Sequence, residues 1–211
     1  MAGSNSPLLA WAQRLQALAQ TGLTYARDPY DIERYTELRR LAAEMVARPG
    51  GAEVAALVEN FSRETGYATP KVDVRGAVFD EQDRLLLVRE RSDGLWTLPG
   101  GWADVGISPA DNVVREIYEE AGFRCRATRL LAVYDRARHG HPPMFHSVYK
   151  MFFACEIIGG EAAAGGTTET DGVGFYAQGQ MPPLSTGRVT AAQIERLFEH
   201  HLNPDLPTDF D

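Results

Sequence analysis

Gly100-Gly-Trp-Ala-Asp-Val-Gly-Ile-Ser-Pro-Ala-Asp-Asn-Val-Val-Arg-Glu-Ile-Tyr-Glu-Glu-Ala-Gly-Phe123 reads as a glycine loop feeding a well-punctuated helix. Ser108 suits the N-cap, Pro109 the first helical position, and Asp111 completes an S-x-x-D capping box. Gly122 stands where a left-handed C-terminal cap is wanted. Val113, Val114, Ile117 and Ala121 form an apolar stripe for packing. Glu116, Glu119 and Glu120 fall at i, i+3 and i+4, so their carboxylates share one face. Like charges that close repel, and a shared cation would offset the repulsion. Hard oxygen ligands in this number suit Mg²⁺, with Mn²⁺ close behind. Alone, such a run is more often a solvated acidic face. The loop glycines, the caps and Arg115 at fixed spacing reverse that preference.

Gly101, Arg115, Glu116, Glu119, Glu120 and Gly122 resemble the signature of the Nudix hydrolases, G-x5-E-x7-R-E-U-x-E-E-x-G-U. One position departs: the first Glu of the pattern falls at Ile107. The flanking Leu-Pro-Gly-Gly-Trp-Ala-Asp-Val-Gly resembles a subgroup with an added helical N-terminal domain that hydrolyses nucleoside diphosphates linked to another moiety, CDP-choline among them. The resemblance implies a Nudix-type α/β/α sandwich with a mixed sheet, preceded by a small all-α domain. It implies Mg²⁺ or Mn²⁺ at Glu119 and Glu120, with Glu116 a ligand or the base. The main-chain carbonyl of Gly101 is a further ligand in similar proteins. Arg115 is expected to orient Glu116. With Ile107 in place of Glu, what holds Arg115 itself is an open question.

Composition narrows the alternatives. A net charge of −8 argues against a duplex nucleic-acid binder, which needs clustered Lys and Arg. No apolar run is long enough to span a bilayer, and no basic leader opens the chain, so a cytoplasmic protein is expected. Cys125 and Cys155 lie in apolar runs and read as small buried side chains without a disulfide.

Three helical patterns come first, over 7–20, 28–47 and 52–64, and make a domain of residues 1–66. Helices this short must bury their stripes, and the resemblance favours a homodimer contact. The Nudix domain is expected over 67–211. In it Lys71–Phe79 and Arg84–Val88 read as strands joined by a turn, followed by strands at Phe123–Tyr134, His146–Ile158 and Val173–Ala177. Gly159-Gly160 reads as a break, 165–170 as a loop, and 190–201 as a last helix.

Further site residues follow from residue type and place. Glu169 and, more weakly, Asp171 stand in a loop where an extra metal ligand or general base would fit; a solvated loop acid is the rival reading. Arg75, in an otherwise apolar strand, and Arg89 are phosphate candidates, because the guanidinium fork matches phosphate oxygens. Arg136 and His139, on a Pro-stiffened loop with His141, could meet phosphate or nucleobase; an exposed hairpin loop is the alternative. Trp102 would border the pocket, while Trp96, Tyr149 and Phe153 read as core. CDP-choline is the preferred substrate and ADP-ribose the second. A catalytically silent nucleotide sensor is the reading of another class.

Overall fold

A computed structural model describes residues 7–50, 53–163 and 168–211; Gly51 and part of the expected 165–170 loop lie outside them. The chain divides into two compact units, one running to Pro70 with Pro143–Ser147 added, the other holding Lys71–Pro142 and Val148–Asp211.

The first unit is helical: α1 (Pro7–Tyr25), α2 (Pro29–Gly50) and α3 (Val54–Arg63). Asp28 starts α2, its carboxylate accepting from the Tyr30 amide at 2.9 Å. Ala42, Ala43 and Phe61 form the buried centre, with Leu15, Val46 and Leu57 around them. Phe145 stacks on Phe61 at 4.5 Å, and Gln13 donates to the Met144 and Phe145 carbonyls, which fixes the 143–147 segment. Small alanines let the helices approach closely, but the core they make is small. Trp11, Leu18 and Tyr25 are left exposed at 58%, 59% and 66%.

The second unit is a mixed α/β fold. β1 (Lys71–Val78) pairs in parallel with β5 (Val148–Gly160), which pairs antiparallel with β4 (Phe123–Asp135). A short β7 (Asp209–Phe210) closes the sheet, in the order β1-β5-β4-β7. A second, antiparallel sheet has the order β3-β2-β6, from Trp96–Thr97, Leu85–Glu90 and Thr170–Tyr176. Helix α4 (Pro109–Ala121) packs one core with Val74, Val78, Leu86 and Val88. Helix α5 (Ala191–Leu202) packs the other with Leu85, Leu87, Leu98 and Phe152. Both faces of Leu85–Val88 are therefore buried, which explains an apolar run without alternation.

The turn expected between Phe79 and Leu85 forms, with Asp80 accepting from the Gln82 and Arg84 amides, and β1 and β2 then part into different sheets. Two expectations need correction. Gly159 and Gly160 do not break the chain; they are the last pairs of β5, opposite Arg124 and Phe123. Tyr149 is 46% exposed rather than core, because the pleat of β5 turns its neighbours Val148 and Lys150 inward.

Helix α5 starts with a reciprocal capping box. Thr190 accepts from the Gln193 amide, and the Gln193 side chain accepts from the Thr190 amide. Thr190→Ala should cost about 1 kcal/mol, lowering Tm by about 2–4 °C in a calorimetric scan.

Candidate functional site

The glycine loop is sewn to β1. Gly76 N donates to Pro99 O at 2.9 Å, Val74 N to Gly101 O at 2.8 Å, and Ala103 N to Val72 O at 2.9 Å. Gly100 has φ +139°, and a Cβ there would lie 2.0 Å from Val74 O, so glycine is obligatory. Its amide donates to Glu120 Oε2 at 2.9 Å. Gly101 faces Glu116; a Cβ at Gly101 would sit 3.3 Å from the Oε2 of that carboxylate. The loop thus bonds one acid of α4 directly and lies close beside a second. The helix itself is capped as its residues suggest. Ser108 Oγ accepts from the Asp111 amide, and Gly122 adopts φ +84° while its amide donates to Tyr118 O.

Arg115 is held without a Glu at 107. Its Nη2 lies 2.7 Å from Asp104 Oδ2, 3.2 Å from Asn112 Oδ1 and 3.1 Å from Glu116 Oε1. Ile107 is partly exposed. Asn112, fully buried, accepts from the Asp104 amide and donates to the carbonyls of Ile107 and Ser108. It therefore pins the turn that carries Asp104. The signal for this was present in the sequence as an Asn in the first turn of an amphipathic helix, where an apolar residue would otherwise be expected.

The acids differ in environment. Glu119 is the exposed member, its side chain 57% accessible, 3.9 Å from Arg115 Nε. Burial raises Glu116 above the ordinary carboxylate value, against the attraction of Arg115. Burial pushes Glu120 up to about 8, despite Arg75 and the Gly100 amide. Glu169 lies near enough for its charge to raise both Glu116 and Glu90, and its carbonyl accepts from Arg91 N at 2.9 Å. The all-oxygen chemistry of these acids suits a hard divalent ion. The arrangement is not a closed cage: among the described residues, no three His, Cys, Asp or Glu side chains converge as an ion would require. Glu116 is turned to Arg115 and Glu120 to Gly100. The Gly101 carbonyl already accepts one hydrogen bond, which leaves one lone pair.

Other expected residues are placed differently. Arg75 is buried, its guanidinium bidentate on Asp73 at 3.0 and 2.8 Å and donating to Leu98 O at 3.1 Å. A fork so filled has no face for phosphate, and the phosphate role expected of it is withdrawn. Arg136 is likewise buried, donating to Pro142 O and Gly187 O, so it ties two loops instead of meeting phosphate. His139 Nε2 lies 2.8 Å from Asp211 Oδ1, and the ring stacks on Tyr134. Arg89 pairs with Asp171 at 2.6 Å over the Trp96 ring, and remains partly exposed. Trp102 is 49% exposed and bridged by its main chain to Asp73. The sequence reading missed Asp73, Glu90, Lys150 and Arg188. Arg188 pairs with Glu90 at 3.0 Å and with Asp93 at 3.0 Å, tying the turn after β2 to the segment before α5.

Comparison with known proteins covers both units. Residues 69–197 match the NUDIX domain family, and residues 6–61 match a domain described as UDP-X-like, N-terminal oligomerisation. A Bacillus subtilis protein provisionally named ADP-ribose pyrophosphatase is 46% identical over 95% of each chain. The crystal structure of a UDP-X diphosphatase is 34% identical, covers 97% of this chain and 98% of its own, and superposes with TM-score 0.62. That of a Streptococcus suis ADP-ribose pyrophosphatase is 43% identical over 68% of this chain and 100% of its own, with TM-score 0.61.

Glu120 carries a stability signature. Its value in the fold lies above the ordinary 4.5, so folding favours the protonated acid. The stability it contributes is complete below about pH 4.5 and is lost as pH rises toward about 8. Glu120→Gln keeps an acceptor for Gly100 and carries no charge. In chelator, thermal melts at pH 8 should show the variant more stable than the parent, on the order of 3 kcal/mol, the gap closing toward pH 4.

Proposed function

This chain belongs to the Nudix family and is a pyrophosphohydrolase, and we propose that it acts on a pyrimidine nucleoside diphosphate linked to a second moiety, CDP-choline first. The observation that carries the reading is the two-domain match: the UDP-X-like N-terminal domain stands ahead of the Nudix domain, and a UDP-X diphosphatase structure is similar over nearly the whole chain. ADP-ribose is the second reading, favoured by the name of the Bacillus subtilis relative.

In this reading Glu116, Glu119, Glu120 and the Gly101 carbonyl would hold Mg²⁺ or Mn²⁺. The ion supplies charge neutralisation on the diphosphate oxygens. Glu116, raised by burial and oriented by Arg115, or Glu169 beside it, takes a proton from the attacking water. Arg115 acts by fixing Glu116, through Asp104 and Asn112. Arg89, the accessible guanidinium, and Trp102 border the substrate. Water adds to one phosphorus, the bridging oxygen leaves, and the products are a nucleoside monophosphate and phospho-X.

The N-terminal unit supports a homodimer. Trp11, Leu18 and Tyr25 recur every seven residues, so they line one side of α1, and all are exposed. A matching face on a second copy would cover them, in keeping with the oligomerisation domain matched there.

Hydrolysis of CDP-choline, UDP-sugars and ADP-ribose in Mg²⁺ should rank CDP-choline first by kcat/KM; ADP-ribose at or above it would replace the proposed substrate. The double variant Glu119→Gln with Glu120→Gln should lose at least about 10³-fold in kcat while keeping its circular dichroism. Trp11→Glu with Leu18→Glu should convert a dimer to a monomer by light scattering, and a parent already monomeric would overturn the interface.

A further inference from the structure

Strand β6 pairs antiparallel with β2 in a constant register, from Leu85 opposite Tyr176 to Arg89 opposite Gly172. Continued by one step, that register would set Asp171 opposite Glu90, two carboxylates face to face. Thr170 takes the place instead, and Asp171 is the extra residue of a β-bulge. The bulge leaves Asp171 to pair with Arg89, 2.6 Å away. Leu86 and Val88 lie on the face of β2 that packs with Val113 and Ile117 of α4, and Glu90 follows them in alternation. The residue opposite Glu90 therefore faces the acid helix. Thr170 is fully buried there, and its Oγ1 donates to the Glu120 carbonyl at 3.0 Å.

That carbonyl belongs to the last turn of α4, where no further amide of the helix arrives to meet it. The bond is thus a cap, but its place in the chain gives it a second consequence. Thr170 adjoins Glu169, whose own carbonyl accepts from the Arg91 amide at 2.9 Å. Glu169 lies near enough for its charge to be felt at Glu116 and Glu90. One contact ties the Glu169 segment to the end of β2. The Thr170 hydroxyl ties it to the helix that carries Glu116, Glu119 and Glu120.

We propose that Thr170 is a positioning residue for hydrolysis: the bulge at Asp171 aims its hydroxyl at α4, and that bond holds Glu169 in place beside Glu116. This deepens the proposed function and rests on it for the role of Glu169. Thr170 acts only through that neighbour. A cap on α4 and nothing more is the rival account.

In the full-length protein, Thr170→Val keeps the side chain's shape and deletes the donor, Thr170→Ala deletes it without adding a methyl, and Thr170→Ser keeps it. With CDP-choline and ADP-ribose in Mg²⁺, T170V and T170A should each lose about tenfold in kcat with KM near parental. T170S should stay within about twofold of the parent. Glu169→Gln should lose at least about 10²-fold, and T170V added to it should cost little more, because the hydroxyl works through that carboxylate. A cap alone would make the two losses multiply. Multiplied losses, or parental kcat in both T170V and T170A, would overturn the inference.

Hydrogen exchange gives a readout that needs no turnover. T170V should speed exchange of the Arg91 amide, which Glu169 O accepts, and T170S should not. Unchanged Arg91 exchange in T170V would also overturn the inference. If no diphosphate is hydrolysed the proposed function fails, while faster Arg91 exchange in T170V, absent in T170S, leaves the positioning of Glu169 standing.

Discussion

One hydrogen bond ties the chemistry to the fold: the Gly100 amide donates to a Glu120 carboxylate sealed from solvent. It joins the glycine loop to α4, and the loop is already bonded to β1 through Gly76, Val74 and Ala103. Loop, strand and helix are therefore bonded into one unit. The bond also partly offsets the burial of an acid, which otherwise favours the neutral form. An acid so buried must give up its proton before it can ligate, so any cation there would bind in competition with that proton.

Around that bond the side chains are arranged in tiers. Asn112 holds the turn after the glycines, the turn presents Asp104, and Asp104 orients Arg115 toward Glu116. Asn112, at the base, is fully buried, and deep burial removes its rotamer freedom; Asp104 and Arg115 above it are partly exposed. On the other side of the loop, Lys150 fixes Asp73, Asp73 fixes Arg75, and Arg75 donates to the carbonyl of Leu98 just before Pro99 and Gly100. The loop is thus gripped on one flank by buried ionic groups that water does not screen, and on the other by buried Asn112 and a partly exposed Arg115–Asp104 pair.

Local patterns made much of this legible. Caps at Ser108 and Gly122, the acid spacing on α4 and the apolar stripe beneath depend on neighbours within a turn, so the sequence shows them directly. The three N-terminal helices follow from their periodicity for the same reason. Long-range pairing was less legible. Nothing local to Phe79 or Leu85 says that the strands flanking their turn enter different sheets, since that depends on β5 and β6 arriving later in the chain. β7, two residues long, carries no periodicity at all.

Charged residues inside strands were the hardest to place. Arg75 looked like a phosphate ligand because an isolated guanidinium in an apolar strand needs a partner; its partner is Asp73, two residues earlier on the same face. Lys150 sits in an alternating strand whose polar position is the buried one, and the pattern by itself does not say which face is inside. The sequence alone determined the acid helix, its caps, the glycine loop and the family they resemble, because these rest on spacing along one segment. Only the tertiary structure decided what each charge pairs with. Pairing depends on segments such as 71–78, 98–104 and 148–160 meeting in space, and a buried charge takes whichever counter-charge the packing delivers.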